Sequence, residues 1–151
     1  MFINMALWQF DFYVIPNDKK VEDLNNNEFY LWKNHKIDIS TEEFFNGTLE
    51  KKKSWSKKIE QYGDNDGTCI QIFERDNNSF EIRCRLDLRT LTLEELEKIL
   101  EYISLISGNV FYEEKIFPPQ LSIVKELLKK SNALKFCVNP KQYFENLSNK
   151  N

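Results

Sequence analysis

Hydrophobic and polar positions alternate most regularly in residues 80–88. The apolar members of this alternation are Phe80, Ile82, Cys84, Leu86 and Leu88. A period of two is typical of a β-strand that buries one face. The run at 68–74 has a similar alternation, and polar residues separate the two runs. Together they predict a β-hairpin at the centre of an antiparallel sheet.

The loop length of this hairpin follows from matching the apolar faces of its strands. A two-residue turn would place the isoleucines of the first strand beside arginines of the second. A three-residue loop at 76–78 pairs Ile72 with Ile82 instead, so we favour the longer loop. This register predicts that Cys84 is buried, and that Cys69 and the arginines point outward.

Other segments predict further elements around this hairpin. Alternation at 7–15 predicts an N-terminal strand, and the shorter runs at 109–114 and 133–138 are expected to be extended. Apolar stripes at helical spacing, capping residues and prolines suited to a first helical turn predict the main helices. These helices are expected at 92–107, 119–131 and 140–147.

The segment 17–58 shows no sustained period. We interpret it as an irregular connection with a short helix near 41–46, capped by Ser40 or Thr41. The predicted fold class is therefore α+β, with the helices packed mainly on one face of the sheet. A length of 151 residues predicts a single domain over 1–151.

Composition narrows the class of protein. Hydrophobic residues make up 41% of the chain and charged residues 30%, which is typical of a protein with a core and a soluble surface. The net charge of -3 argues against a general nucleic-acid binder. Three cysteines without a CxxC spacing predict no disulfide framework and no zinc site, and free thiols suit the cytoplasm. No signal peptide or membrane span is predicted, and either Met1 or Met5 could be the natural start.

Candidate catalytic and metal-binding residues are few. The acidic turn at 63–67 offers Asp64 and Asp66 but lacks the further ligands of a calcium loop, so we interpret it as a turn into a strand. His35 is the sole histidine and lies in a polar stretch with no nucleophile pattern. Common nucleotide-binding, zinc-protease and hydrolase motifs are absent from the sequence. We expect a protein that is not an enzyme and needs no cofactor or metal.

Two surfaces are candidates for binding. The outward face of the hairpin combines an aromatic ring with mixed charge, as at the rim of a protein interface, although another segment covering this face would explain it equally well. Its candidate residues are Phe73, Glu81, Arg83, Arg85 and Asp87. The basic segment 51–58 is the alternative, because lysines contact phosphates and an indole stacks on bases. Its residues are Lys51, Lys52, Lys53, Trp55, Lys57 and Lys58. A solvated loop whose Trp55 packs into the core is the simpler explanation, so a nucleic-acid partner is not expected.

Several segments together resemble a group of small uncharacterised bacterial proteins. They are "SWSKKIEQYGDNDGTCIQIFE", "IRCRLDLR" and "KKSNALKFCVNPKQYFENL", which cover roughly residues 54–147 with the helix between them. Such proteins are similar to the single-domain immunity proteins that accompany secreted bacterial toxins. The resemblance implies a cytoplasmic protein that neutralises a toxin by direct binding, and it assigns no active residues. Its expected partner is a protein, and the oligomeric state stays open.

Overall fold

The computed structural model describes residues 7–139, apart from Asn34 and Asn77, together with Lys141. Its strands are β1 Gln9–Pro16, β2 Trp32–Lys33, β3 Lys51–Lys52, β4 Ile59–Gly63, β5 Cys69–Glu74, β6 Ser79–Asp87, β7 Gly108–Tyr112 and β8 Lys115–Phe117. Its α-helices are α1 Thr41–Phe45, α2 Leu93–Leu105, α3 Leu121–Lys130 and α4 Asn132–Val138. A 3-10 turn spans Val21–Asp23. None of these helices is long and apolar enough to cross a membrane.

All eight strands join one antiparallel sheet, which confirms the α+β class. Seven of them follow the order β3-β4-β5-β6-β1-β7-β8, and β2 pairs with the start of β6. The strands from β3 to β6 are consecutive in the chain and form a meander. β1 is inserted between β6 and β7, so it is hydrogen-bonded on both sides.

The hairpin of β5 and β6 has the register that apolar matching predicts. Ile72 pairs with Ile82, and Ile70 pairs with Cys84. The backbone N–H of Arg75 donates to the oxygen of Ser79 at 2.8 Å, so the loop comprises the three residues 76–78. Cys84 is buried, as predicted.

Cys69 differs from the prediction in one respect. It lies on the opposite face of the sheet from Cys84, but it is buried, with only 2% of its surface exposed. Its cross-strand neighbours are Gly63 and Arg85. Burial raises the pKa of the Cys69 thiol to about 11, which disfavours the reactive thiolate.

The main core lies between one face of the sheet and the helices. β1 contributes Phe10, Phe12 and Val14 to it, and α1, α2 and α3 cover them with residues that include Phe45, Ile99, Ile103 and Val124. A smaller cluster on the other face packs Phe29 and Tyr30, from the connection, against Ile15 and Phe111. The sheet is therefore covered on both faces around β1 and β7.

Three of the predicted elements are in place within a few residues. The helix predicted at 92–107 is α2, and Thr92 and Glu95 form its capping box. The helix predicted at 119–131 is α3, and the one near 41–46 is α1, capped by the side chain of Ser40. The helix predicted at 140–147 lies outside the described residues, apart from Lys141.

Other predictions are wrong or incomplete. The segment 133–138 is not extended but forms most of α4, because Ser131 Oγ accepts a hydrogen bond from the backbone N–H of Leu134 and caps a helix there. The sequence did not reveal β4, whose two faces are both largely buried. The segment 17–58 is also more regular than predicted, since it contains β2 and β3.

Candidate binding surface

We call the sheet face that carries Phe73, Glu81, Arg83, Arg85 and Asp87 the outer face. Phe73 and Asp87 are buried there, with 9% and 2% of their surface exposed, and the other three residues are partly buried. Phe73 therefore belongs to the packed part of the sheet. The structure thus places the five predicted residues on adjacent strands but leaves only part of each charged side chain accessible.

The charged side chains of the outer face largely bind one another. Glu81 Oε2 accepts hydrogen bonds from Arg75 at 3.0 Å and from Arg83 at 3.3 Å. The guanidinium carbon of Arg83 lies 4.3 Å from the ring centroid of Phe73 and 5.5 Å from that of Tyr13, which is a cation–π arrangement. This network fixes the arginines on the sheet.

Arg85 connects the outer face to a buried carboxylate that the sequence did not single out. Its Nε donates to Asp11 Oδ1 at 3.2 Å, and the Asp11 side chain is only 2% exposed. Asp11 Oδ2 has no hydrogen-bond partner among the described residues. Burial raises the pKa of Asp11 above its ordinary value, although the charge of Arg85 opposes this rise. In the sequence, the signal for this buried carboxylate was Asp11 itself, a single acid within the alternating strand β1.

Asp87 is held by hydrogen bonds within the protein. Its carboxylate accepts two hydrogen bonds from the Arg89 side chain, at 3.2 and 3.1 Å. Its backbone N–H donates to Thr68 Oγ1 at 3.0 Å. The guanidinium of Arg89 in turn lies 3.9 Å from the ring centroid of Trp8. These contacts hold the end of β6, and they leave little of Asp87 for a partner.

Among the described residues, the acidic turn at 63–67 and His35 do not come together in a catalytic or metal-binding site. Gly67 N–H donates to the oxygen of Asp64 at 3.0 Å, as in a tight turn. His35 Nδ1 lies 2.9 Å from the Lys33 oxygen, and its ring contacts that of Trp32 edge-on. Within the described ranges, no three His, Cys, Asp or Glu side chains are placed to hold a metal ion.

Residues 53–58, which we call the Trp55 loop, present an exposed aromatic side chain. Trp55 has 76% of its surface exposed, so the prediction that it packs into the core is wrong. Ser54 Oγ donates to the backbone oxygens of Ser56 and of Ile59, the latter at 2.7 Å. Ser56 Oγ accepts from the N–H of Lys58 at 3.2 Å. The loop is therefore held by its own serines while its largest side chain lies in solvent.

The lysines of this segment are interleaved with acids. Lys51 Nζ lies 4.0 Å from Glu42, and Lys52 Nζ lies 3.9 Å from Asp64. Both pairs are exposed, so each contributes little to stability. They nevertheless reduce the positive potential that the six predicted residues would have by themselves.

Next to the Trp55 loop lies a cavity of about 620 Å³, which we call the cleft. It opens on the helix side of the sheet, where the apolar side chains of Ile39, Ile72 and Phe80 are only partly buried. Its lining carries both charge signs, with Lys57, Lys58, Glu60 and Glu74 among the charged residues. Burial and a hydrogen bond to Glu60 raise the pKa of the Tyr62 hydroxyl, so it stays protonated. The volume of the cleft is in the range of ordinary ligand sites.

Comparison with protein-family models, with curated proteins and with solved structures finds no match for this chain.

Proposed function

We propose that this protein is a non-enzymatic protein-binding domain that contacts its partner through the Trp55 loop and the cleft. In keeping with the immunity-like resemblance, we propose that the partner is a bacterial toxin, neutralised by direct binding in the cytoplasm. The observation that carries the proposal is the 76% exposure of Trp55 on a loop held by internal hydrogen bonds.

Physical chemistry supports a protein contact at such a residue. Tryptophan is enriched among the few residues that supply most of the affinity of protein interfaces. When the backbone of the loop is already fixed, binding has to order only the indole side chain, which has two rotatable bonds. The serine hydrogen bonds of the Trp55 loop supply this preorganisation, and the adjoining cleft supplies a concave neighbour.

Mixed charge supports a protein partner over nucleic acid. A nucleic-acid site gains its affinity from unopposed cations along the phosphate backbone. Here Lys51 and Lys52 lie beside Glu42 and Asp64, and Glu60 and Glu74 line the cleft. A protein interface tolerates such alternation of charge because each partner supplies the opposite sign.

The substitution Trp55→Ala tests the proposal. Proteins captured from the source cell would be identified by mass spectrometry, and each purified candidate titrated against the wild type and the variant. We expect binding to weaken by about 30-fold or more, as at an interface hot spot. The free energy of unfolding should change by less than about 0.5 kcal/mol, because the side chain is exposed.

Leu93→Ala is the matched control, because Leu93 is an exposed apolar residue in the first turn of α2. It should leave the affinity unchanged. A captured partner whose affinity is the same for wild type and Trp55→Ala would contradict the proposed contact. A captured partner without toxic activity would contradict the immunity-like role while leaving the binding surface intact.

The exposure of Trp55 also favours a second candidate, a nucleic-acid-binding accessory protein that uses 51–58. Under this alternative, a labelled single-stranded oligonucleotide should bind at low salt and dissociate steeply as salt rises. Lys57→Glu should weaken that binding, and Trp55→Ala should remove the stacking contribution. Absence of binding at low salt would eliminate the alternative.

The outer face remains a second proposed contact for a protein partner. Arg75→Ala removes a cation whose side chain is 43% exposed, whereas Arg85→Ala would uncover the buried Asp11 and is a poor probe. A loss of partner affinity in Arg75→Ala, with Trp55→Ala unaffected, would move the interface to this face.

A further inference from the structure

We infer that the cleft binds an extended acidic segment of the partner, with one apolar side chain inserted over Ile39, Ile72 and Phe80. This inference rests on the proposed function, and it adds the chemistry of the bound segment. It depends on an uncovered apolar floor, an unbalanced set of cations and the shape of the cleft.

The floor of the cleft is apolar and preformed. Ile39, Ile72 and Phe80 pack against the main core on one side and remain partly exposed on the other. Phe80 stacks on Trp32 with 5.9 Å between ring centroids and 9° between ring planes, and Trp32 Nε1 donates to the Val14 oxygen at 2.9 Å. The floor is thus fixed by core contacts, and an inserted apolar side chain would remove its exposed surface from water.

The charges around the floor are unequal. Four lysines line the cleft against three glutamates, and one pair of them is already matched, since Glu42 lies 4.0 Å from Lys51. Three lining cations, Lys36, Lys57 and Lys58, form no ion pair within 4.0 Å among the described residues.

Two lining acids, Glu60 and Glu74, remain against these three lysines, and the Glu74 N–H donates to the Lys58 oxygen at 2.7 Å. The local excess is therefore positive in a chain whose net charge is -3. Such a patch complements acidic groups on a partner.

The shape of the cleft suits an extended segment. The cleft is lined by residues of 35–42, which runs into the start of α1, by residues that lead into β4, and by strands β5 and β6. A volume of about 620 Å³ accommodates a few residues and not a folded domain. In an extended peptide, alternate side chains point to opposite sides, so one apolar residue can enter while its acidic neighbours meet the lysines at the rim.

Synthetic peptides test the inference directly. The probe is a fluorescein-labelled, terminally blocked Asp-Glu-Leu-Phe-Glu-Asp, titrated with the full chain at low salt and followed by fluorescence anisotropy. One control peptide replaces Leu-Phe by Ser-Ser, and the other replaces every acid by lysine. We expect the probe to bind at least about 10-fold more tightly than either control.

Charge reversal in the protein is the second part of the test. Lys57→Glu combined with Lys58→Glu should weaken probe binding at least about 10-fold. The matched variant combines Lys52→Glu with Lys53→Glu, which changes the net charge equally in the same segment but at residues that do not line the cleft. It should alter probe binding by less than about threefold. Circular dichroism confirms that both variants keep the fold.

Several outcomes would overturn the inference. They are no probe binding, equal binding of the three peptides, or equal effects of the two double variants. The proposed function fails separately. If partner affinity depends on Trp55 but not on Lys57 and Lys58, the function stands and the cleft inference is wrong. If the probe binds as expected but Trp55→Ala leaves every captured partner unaffected, the cleft inference stands and the Trp55 contact is wrong.

Discussion

Gly63 should be the glycine of this chain that least tolerates a side chain. It ends β4 with φ +95, a conformation that L-residues rarely adopt. A Cβ added there would lie 2.2 Å from the backbone oxygen of Thr68 and 3.2 Å from Leu49 Cδ2. Gly47 offers a matched comparison, because its φ is +85 and nothing lies within 4 Å of its added Cβ.

The expected magnitudes follow from these two environments. A left-handed backbone costs an alanine roughly 1–2 kcal/mol at either position. Overpacking adds roughly 1–3 kcal/mol at Gly63 alone, since the obstructing Thr68 oxygen belongs to the backbone and cannot rotate away. The loss of unfolded-state freedom on changing glycine to alanine is the same in both variants and cancels in the comparison. Gly63→Ala should therefore be less stable than Gly47→Ala by roughly 1–3 kcal/mol.

Urea unfolding followed by tryptophan fluorescence measures this difference. The slopes of the two transitions should agree, so that the midpoints report stability alone. A shift in slope would show that the variants differ in the surface exposed on unfolding. If Gly63→Ala matches Gly47→Ala within about 0.5 kcal/mol, the steric reasoning about the end of β4 is wrong.

Two further predictions concern Asp11 and the β7–β8 turn. Folding favours protonated Asp11, because burial raises its pKa above the ordinary 3.8, with Arg85 opposing. The free energy of unfolding should therefore fall as pH rises through the interval between the ordinary and the raised pKa, and Asp11→Asn should flatten this dependence in urea titrations across pH; an unchanged slope would contradict it. Glu113 and Glu114 have φ of 49 and 62, where Asn-Gly is preferred. Replacing them by Asn-Gly should raise Tm, with a gain of roughly 1–2 kcal/mol, and a lower Tm would contradict the strain argument.

The central part of the fold could be predicted because two independent signals agree there. The period of two in β5 and β6 sets the buried face, and only one loop length puts Ile72 opposite Ile82. In α2, the capping box and the apolar stripe predict the same helix start at Thr92. Local preference and tertiary burial agree in these segments, so the sequence is sufficient.

Elsewhere local pattern and burial diverge. Leu134, Phe136 and Val138 alternate as in a strand, but Val138 is exposed, and the Ser131 cap starts a helix there instead. β4 shows no alternation because side chains on both of its faces are buried, as Gln61 and Tyr62 show. β2 and β3 have two residues each, which is too short for any period to be visible. Their pairing depends on distant strands and is not encoded locally.

The sequence predicts which residues make up the candidate site, but not which of their side chains are exposed. The lysines around Trp55 are evident in the sequence, whereas the position of its indole depends on hydrogen bonds of Ser54 and Ser56. On the outer face, the sequence predicts the row of charged residues, but not how far their side chains bind one another. Asp11 is absent from that prediction because its partner, Arg85, lies on a strand far along the chain.

The insertion of β1 between β6 and β7 has a consequence for the chain as it is synthesised. Phe12 pairs with Cys84 and Tyr13 with Phe111, so the partners of β1 are made about 70 and about 100 residues after it. At ordinary ribosomal rates this delay is roughly 4 to 20 s. The meander from β3 to β6 needs no such wait, because its strands are consecutive. During that interval, the apolar face of Phe10, Phe12 and Val14 has no sheet to join, and the nascent protein carries an unpaired hydrophobic strand.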